Sequence, residues 1–218
     1  GGVVRGRAEF SYFCAATTSR AAGHEGRIDL ALTQRIPGPG FAGPPRTVRC
    51  AQYDNPMLHA AMERLQPGDV LVITMPTPAP VALLGELLAT QAARHGAAAI
   101  PVDAAVRDTD DLRALGLPIW ARWIRVTQAA KETAGELDVP IVLGGTTVRP
   151  ADIVVLDGDG AVVVPAGQAE GVLNAAAALR DVERQRRERY RNGELSLDVM
   201  KLRQKLEGSR AAGGTSEG

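Results

Sequence analysis

Arg107 and Asp108 stand side by side where an apolar run, "AAAIPV" at 97–102, gives way to "DTDDLRALG", whose acids precede leucines at helical spacing. A guanidinium and a carboxylate at a strand-to-helix junction can bind an anion and a hard cation together. The strand fixes their position and the loop gives access. A plainer reading has Asp108 capping or charging the helix start, with Arg107 as its ion-pair partner. The second candidate is "VALLGELLATQAARHG" (81–96). Taken as one helix ending at Gly96, it buries Gly85 in its interior, at a cost of about 1 kcal/mol relative to Ala. Taken as a loop with a helix from near Glu86, it leaves the amides of Leu87 and Leu88 free to receive an anion. The alternative for Gly85 is a small residue at a close helix crossing. An anion-accepting helix start, an Arg and a carboxylate would together suit a carboxylate substrate beside a divalent metal.

The rest of the composition narrows the chemistry. The chain has 218 residues, 45% hydrophobic and 23% charged, with a formal net charge of zero. That is a soluble globular composition with no overall drive towards nucleic acid or an anionic membrane. The stretch "RDVERQRRERYR" (180–191) holds six arginines, but Asp181, Glu183 and Glu188 are interleaved. It reads as a solvated helix face with internal ion pairs. Glu183 lies one turn after Leu179, beside the apolar seam, where it can face a neighbouring subunit. Cys14, Cys50, His24, His59 and His95 show no zinc or CxxC spacing, so neither a zinc site nor a disulfide framework is expected. A bound metal would then have oxygen ligands, which points to Mg²⁺ or Mn²⁺. The "DGDG" at 157–160 lacks the rest of a calcium loop and reads as a hairpin turn. His59 and Cys50 read as structural and core residues. No apolar run reaches membrane-spanning length, and the N-terminal stretch has no signal-peptide pattern, so a cytoplasmic protein is expected.

The elements that must position these residues alternate along the chain. Strands are expected over 46–53, 70–75, 97–102, 118–126, 139–145, 152–157 and 161–165, with a helix over 55–66 whose Pro56 fits the first turn. "PGPGFAGPP" (37–45) reads as a loop unable to hold a helix or a central strand. A helix over 166–191, with Val172, Ala175, Leu179 and Val182 on one face, is followed by a second amphipathic helix over 195–208 and a frayed tail. The sum is one mixed α/β domain with a helical C-terminal arm.

Several stretches then resemble a known family: "QPGDVLVI", "GELLATQAARHGAAAIPVDAAVRD", "LGLPIWAR", "VPIVLGGTTVRPADIVVLDGDGAVVVP" and "GELSLDVMKLRQKLEG". In order and spacing they are similar to the class II pyruvate aldolases of the 4-hydroxy-4-methyl-2-oxoglutarate / 4-carboxy-4-hydroxy-2-oxoadipate type. The wider family includes the regulator of RNase E activity A. The resemblance runs from about Phe41 to Gly208. It implies a layered α/β/β sandwich resembling the swivelling phosphohistidine domain. The implied parts are a poorly matched segment 1–40, a catalytic domain 41–165, a helical arm 166–208 and a disordered tail 209–218.

For the site, the resemblance implies that Asp108 ligates Mg²⁺ or Mn²⁺ directly and that Arg107 polarises an oxo acid. The Gly85–Leu88 turn would hold the pyruvyl carboxylate on the Leu87 and Leu88 amides. Glu86 and Glu183 would bind metal water, Glu183 reaching a neighbouring subunit's site in a homotrimer or homohexamer. The implied reaction is retro-aldol cleavage to pyruvate in aromatic-acid catabolism, with oxaloacetate decarboxylation as a side activity. The implied partner is a small oxo acid, with no nucleic acid and no membrane. The other reading is a non-catalytic binding protein like the RNase E regulator. The family's "GDN" stands here as "YDN" (53–55), and the usual Gly after "VD" is Ala104.

Overall fold

The computed structural model describes residues 9–28 and 32–206; the tail 209–218 lies outside them. In chain order the described elements begin with α1 (Ala15–Ala21), β1 (Thr33–Ile36), β2 (Phe41–Gly43), β3 (Pro45–Arg49) and α2 (Pro56–Ala61). There follow β4 (Asp69–Thr74), β5 (Ala82–Leu84), α3 (Glu86–Arg94), β6 (Ala97–Val106), α4 (Thr109–Leu115) and β7 (Ile119–Ile124). The second half holds β8 (Glu136–Leu137), β9 (Ile141–Leu143), β10 (Thr146–Val148), β11 (Ile153–Asp157) and β12 (Gly160–Val164). There follow α5 (Ala169–Arg191) and α6 (Ser196–Val199), and the backbone is helical again over 202–206.

Strand β4 shows why the chain layers as it does. Its residues are apolar almost without alternation because both faces are covered. Leu71 and Ile73 enter one core with Leu58 and Met62 from the α2 region, Ala89 and Ala92 of α3, and Leu112 of α4. Val70 and Val72 point the other way, into a core shared with Val154 and Leu156 of β11 and Val163 of β12. The remaining residues of that second sheet, Ile153, Val155, Val162 and Val164, pack outwards with Phe10, Ala15 and Val172. The result is a helix layer, a main sheet and a smaller sheet, the α/β/β arrangement that the resemblance implies.

The main sheet runs β1-β7-β6-β4-β3-β8, with β5 also paired to β6. Its centre is parallel: β3 with β4, β4 with β6, and β6 with both β5 and β7. Parallel neighbours put their C-terminal ends on one side, where the connections to α3 and α4 emerge. The smaller sheet runs β12-β11-β2, and its hairpin pairs Asp157 with Gly160, as "DGDG" signalled.

Some expectations are corrected. The 37–45 stretch holds a strand after all, but β2 lies at a sheet edge, and Pro45 opens β3, where a missing N–H is tolerated. The strand expected over 46–53 stops at Arg49. The expected 97–102 strand runs on to Val106, ending directly at Arg107. Along α5, Val172 and Ala176 are the buried positions, whereas Val182 is exposed. The helix expected over 195–208 is broken after Val199, and Lys201 adopts φ +55.

The chain divides into two compact units, residues 1–176 and 177–218. The second carries the arginine-rich part of α5. Its charges pair internally, Arg184 with Asp181 at 3.2 Å and Arg191 with Glu188 at 2.8 Å. Arg189 also binds Glu194, whose pKa falls below its usual value because the guanidinium donates hydrogen bonds to it.

Candidate active site

Four chain segments converge on one cavity of about 270 Å³, and backbone contacts explain how each is placed. The first is the turn from β5 into α3. Gly85 is its extended cap residue (φ −132), and Ala89 closes the first helical hydrogen bond on the Gly85 carbonyl at 3.1 Å. The amides of Leu87 and Leu88 therefore precede the first intrahelical bond. The unbroken 81–96 helix is thus excluded. The chain enters α3 from a strand, with Glu86 as its first residue.

The second segment is Arg107–Asp108 at the end of β6. The Arg107 amide donates to the Leu84 carbonyl at 3.1 Å, which fastens it beside Gly85. Asp108 sits in the left-handed region (φ 60, ψ 43) at the start of α4, and its side chain makes no capping hydrogen bond. Its Oδ2 instead accepts from the Glu86 amide at 3.2 Å and lies 3.5 Å from Arg107 Nε. The carboxylate has turned away from its own helix towards the start of α3, so it does not cap α4, while the ion pair with Arg107 that the plainer reading expected is present.

Gly85 has a steric reason to be glycine. A Cβ there would stand 2.6 Å from Asp108 Oδ2 and 3.0 Å from Arg107 Nε. Glu86 is half-buried and steadied by Thr90, whose hydroxyl donates to Oε1 at 2.8 Å.

The third and fourth segments were not foreseen as parts of the site. Asp54 is buried and accepts the Thr133 amide at 2.7 Å and the Glu132 amide at 3.0 Å. Burial works to raise its pKa, but these hydrogen bonds outweigh it and hold the carboxyl below its usual range. The clamp ties the start of α2 to the loop after β7, and brings Asn55, His59, Gln128 and Lys131 to the cavity wall. Gln128 Oε1 accepts from Arg107 Nη1 at 3.1 Å. Asn55 is 5% exposed, and its Nδ2 donates to the Leu83 carbonyl at 2.8 Å. Its Oδ1 is buried with no partner among the described residues. A buried amide oxygen left this way on a cavity wall is an acceptor for a ligand or a water.

Burial and the charge of Lys131 lower the His59 pKa, so the imidazole is neutral near pH 7. The sequence offered no local signal for Gln128 or Lys131, since their loop has neither periodicity nor motif. Asn55 was visible only within "YDN".

The same clamp strains Tyr53, which adopts φ +64 and is 54% exposed. Its carbonyl accepts from Ala130, which fixes the conformation. The resemblance supplies Gly at this position, the residue that the left-handed region favours. Tyr53→Gly is expected to stabilise the fold by about 0.5–1 kcal/mol. That is the roughly 1–2 kcal/mol of left-handed strain less the added entropy of the unfolded chain. Thermal melting checks it, and a lower Tm would show that contacts of the ring outweigh the strain.

The donors fit a hard divalent cation. Among the described residues no group of three His, Cys, Asp or Glu could enclose a metal. Asp108 offers one carboxylate on the cavity wall to Mg²⁺, which commonly binds through one or two carboxylates and keeps several waters, whereas Glu86 does not line the cavity and its Oε1 accepts from Thr90. Glu183 lies on the second unit, on α5 beyond Ala176.

The comparisons with known proteins give the family. The model of the RraA-like family, described as Aldolase/RraA, matches residues 12–163. The chain belongs to the RraA-like family. One relative, 37% identical over 165 residues and 76% of either chain, is a Halalkalibacterium halodurans protein named "Putative 4-hydroxy-4-methyl-2-oxoglutarate aldolase". Among solved structures, Streptomyces coelicolor RraAS2, titled an unusual member of the RNase ES inhibitor RraA family, superposes with TM-score 0.75 and 32% identity. The match covers 87% of this chain and 98% of that one. The RNA-processing inhibitor RraA of Thermus thermophilus gives TM-score 0.64 at 30% identity, over 69% of this chain and 92% of that one. Among the described residues, no helix is long and apolar enough to cross a membrane.

Proposed function

We propose that this protein is a divalent-metal-dependent pyruvate aldolase that cleaves a 4-hydroxy-2-oxo acid to pyruvate and a second oxo compound. The observation that carries this reading is the Arg107–Asp108 pair facing the first amides of α3 inside one cavity. The aldolase name of the Halalkalibacterium halodurans relative supports it.

In the retro-aldol step the C4 hydroxyl loses its proton, the C3–C4 bond breaks and its electron pair moves onto the C2 oxygen. The resulting enolate then takes a proton at C3. Mg²⁺ or Mn²⁺, held by Asp108 directly and by Glu86 through water, would supply Lewis-acid polarisation of the 2-oxo group. The Leu87 and Leu88 amides hold the C1 carboxylate at the positive end of α3. Arg107 donates to the C2 oxygen as negative charge builds there, and Gln128 steadies the guanidinium. Glu86, oriented by Thr90, positions the water that carries the C4 hydroxyl proton away. Glu183 serves the site of a neighbouring copy, in a homotrimer or homohexamer. Because loss of CO₂ from oxaloacetate leaves the same enolate, that decarboxylation follows as a side activity.

The test is pyruvate release, coupled to lactate dehydrogenase, from 4-hydroxy-4-methyl-2-oxoglutarate, 4-carboxy-4-hydroxy-2-oxoadipate and oxaloacetate, with Mg²⁺ and with EDTA. Release that EDTA abolishes is expected. The two RraA-named structures favour a second reading, a non-catalytic inhibitor of an RNA-processing nuclease. Silence on all three substrates, with slowed RNA cleavage by an RNase E-type nuclease, would establish that reading instead.

A further inference from the structure

A second, more open hollow of about 580 Å³ adjoins the cavity and shares Arg107 and Asp108 with it. Its other walls are Thr109, Ile124, Arg125 and Val126. We propose that this hollow receives the half of the substrate that leaves, and that Arg125 selects substrates with a carboxylate on C4. The inference rests on the aldolase reading and extends it from the reacting centre to the substrate's far end.

The direction of binding follows from the amides. Gly85, Leu87 and Leu88 line the first cavity and not the second, so the pyruvyl carboxylate belongs in the first. Arg107 and Asp108 form the shared wall, and Arg107 meets the C2 oxygen there. Everything beyond C3 must then pass that wall, and the hollow on its other side is open to receive it.

Arg125 is placed there by the sheet. Its amide donates to the Val106 carbonyl at 3.0 Å, one residue from Arg107. One guanidinium nitrogen, Nη1, donates to the Ile124 carbonyl at 2.8 Å. No acidic side chain forms an ion pair with Arg125 among the described residues, whereas Asp108 is taken by Arg107 and the Glu86 amide. The remaining N–H groups form a fork suited to a carboxylate. Ile124 is 40% exposed and Val126 92% exposed, so an incoming tail would cover apolar surface on both sides of the cation. A carboxylate paired there loses less to water than at a bare surface.

The experiment compares kcat/KM for 4-hydroxy-4-methyl-2-oxoglutarate, with a carboxylate on C4, and 4-hydroxy-2-oxopentanoate, with only a methyl group there. Wild type, Arg125→Gln and Arg125→Lys are measured. The preference of wild type for the acidic substrate is expected to fall about tenfold or more in Arg125→Gln, the scale of one hydrogen-bonded charge pair. Arg125→Lys should restore part of it. An unchanged ratio between the two substrates, whether both rates fall or neither does, overturns the assignment. Deuterium exchange at C3 of pyruvate with wild-type protein and Mg²⁺ reports enolate formation separately. Absence of exchange overturns the aldolase reading and this inference with it, whereas exchange with an unchanged ratio overturns the inference alone.

Discussion

Gly85→Ala is expected to lower kcat/KM for pyruvate release by about a hundredfold while leaving the protein folded. The backbone at residue 85 is extended, with φ −132 and ψ −174, a conformation that alanine adopts without strain. The penalty is therefore steric and local. The new methyl group would lie 2.6 Å from Asp108 Oδ2, 3.0 Å from Arg107 Nε and 3.2 Å from Arg107 Cγ, so both side chains must move. Both are partly exposed, at 36% and 40%, and can swing towards solvent at little cost in stability. The shift of about 1 Å that relieves such contacts is of the size that costs a positioned site roughly a hundredfold. The measurement pairs steady-state kinetics with thermal melting. Near-wild-type activity would show that Arg107 and Asp108 do not act from their present positions. A fall in Tm matching the loss of activity would mean that Gly85 matters for folding instead.

The sequence exposed the parts of this site that lie next to one another along the chain. Arg107–Asp108 and Gly85–Leu88 were legible because each sits at a junction between elements, where local pattern changes from an apolar run to helical spacing. The choice between one helix over 81–96 and a loop followed by a helix hung on Gly85, and its helix-breaking cost pointed to the second arrangement; the strand β5 in place of that loop was not foreseen. The function of Asp108 was less legible. At the start of α4 it has the position of a cap, and only the fold shows its carboxylate accepting the Glu86 amide from another element. Gln128 and Lys131 could not be read at all, and Asn55 only within "YDN". They reach the cavity through the Asp54 clamp and the bridges that join the 53–55 turn to the loop after β7. Such long-range hydrogen bonding leaves no periodicity in either segment. The layering came from the resemblance. Apolar runs such as 70–75 signalled buried strands, and the short apolar runs of the second half signalled a β-rich region, but neither run says how many sheets form. The smallest elements failed for a related reason: β2 has only three residues, and its glycine and flanking prolines read as a loop.

Asp108→Asn separates the charge of this carboxylate from its place in the hydrogen-bond network. Asparagine keeps the size of the side chain and an oxygen able to accept the Glu86 amide, so the turn into α3 stays in place. What disappears is the negative charge 3.5 Å from Arg107 Nε and the anionic donor for a hard cation. An exposed pair of this kind contributes only about 0–1 kcal/mol to stability, so Tm should move by a few degrees at most. Activity should respond very differently. Under the proposed function, in which Asp108 is a direct ligand, metal-dependent pyruvate release is expected to fall at least about a hundredfold and to stay low when Mg²⁺ is raised, since added metal does not replace the lost anionic charge beside the reacting centre. Arg107 remains in the variant and can still bind an oxo acid, so pyruvate should still protect it weakly against thermal unfolding. Retention of more than one-tenth of wild-type kcat/KM would reduce Asp108 to a residue that positions the start of α3. The direct charge on the metal would then have to come from Glu86 or from the Glu183 of a neighbouring copy.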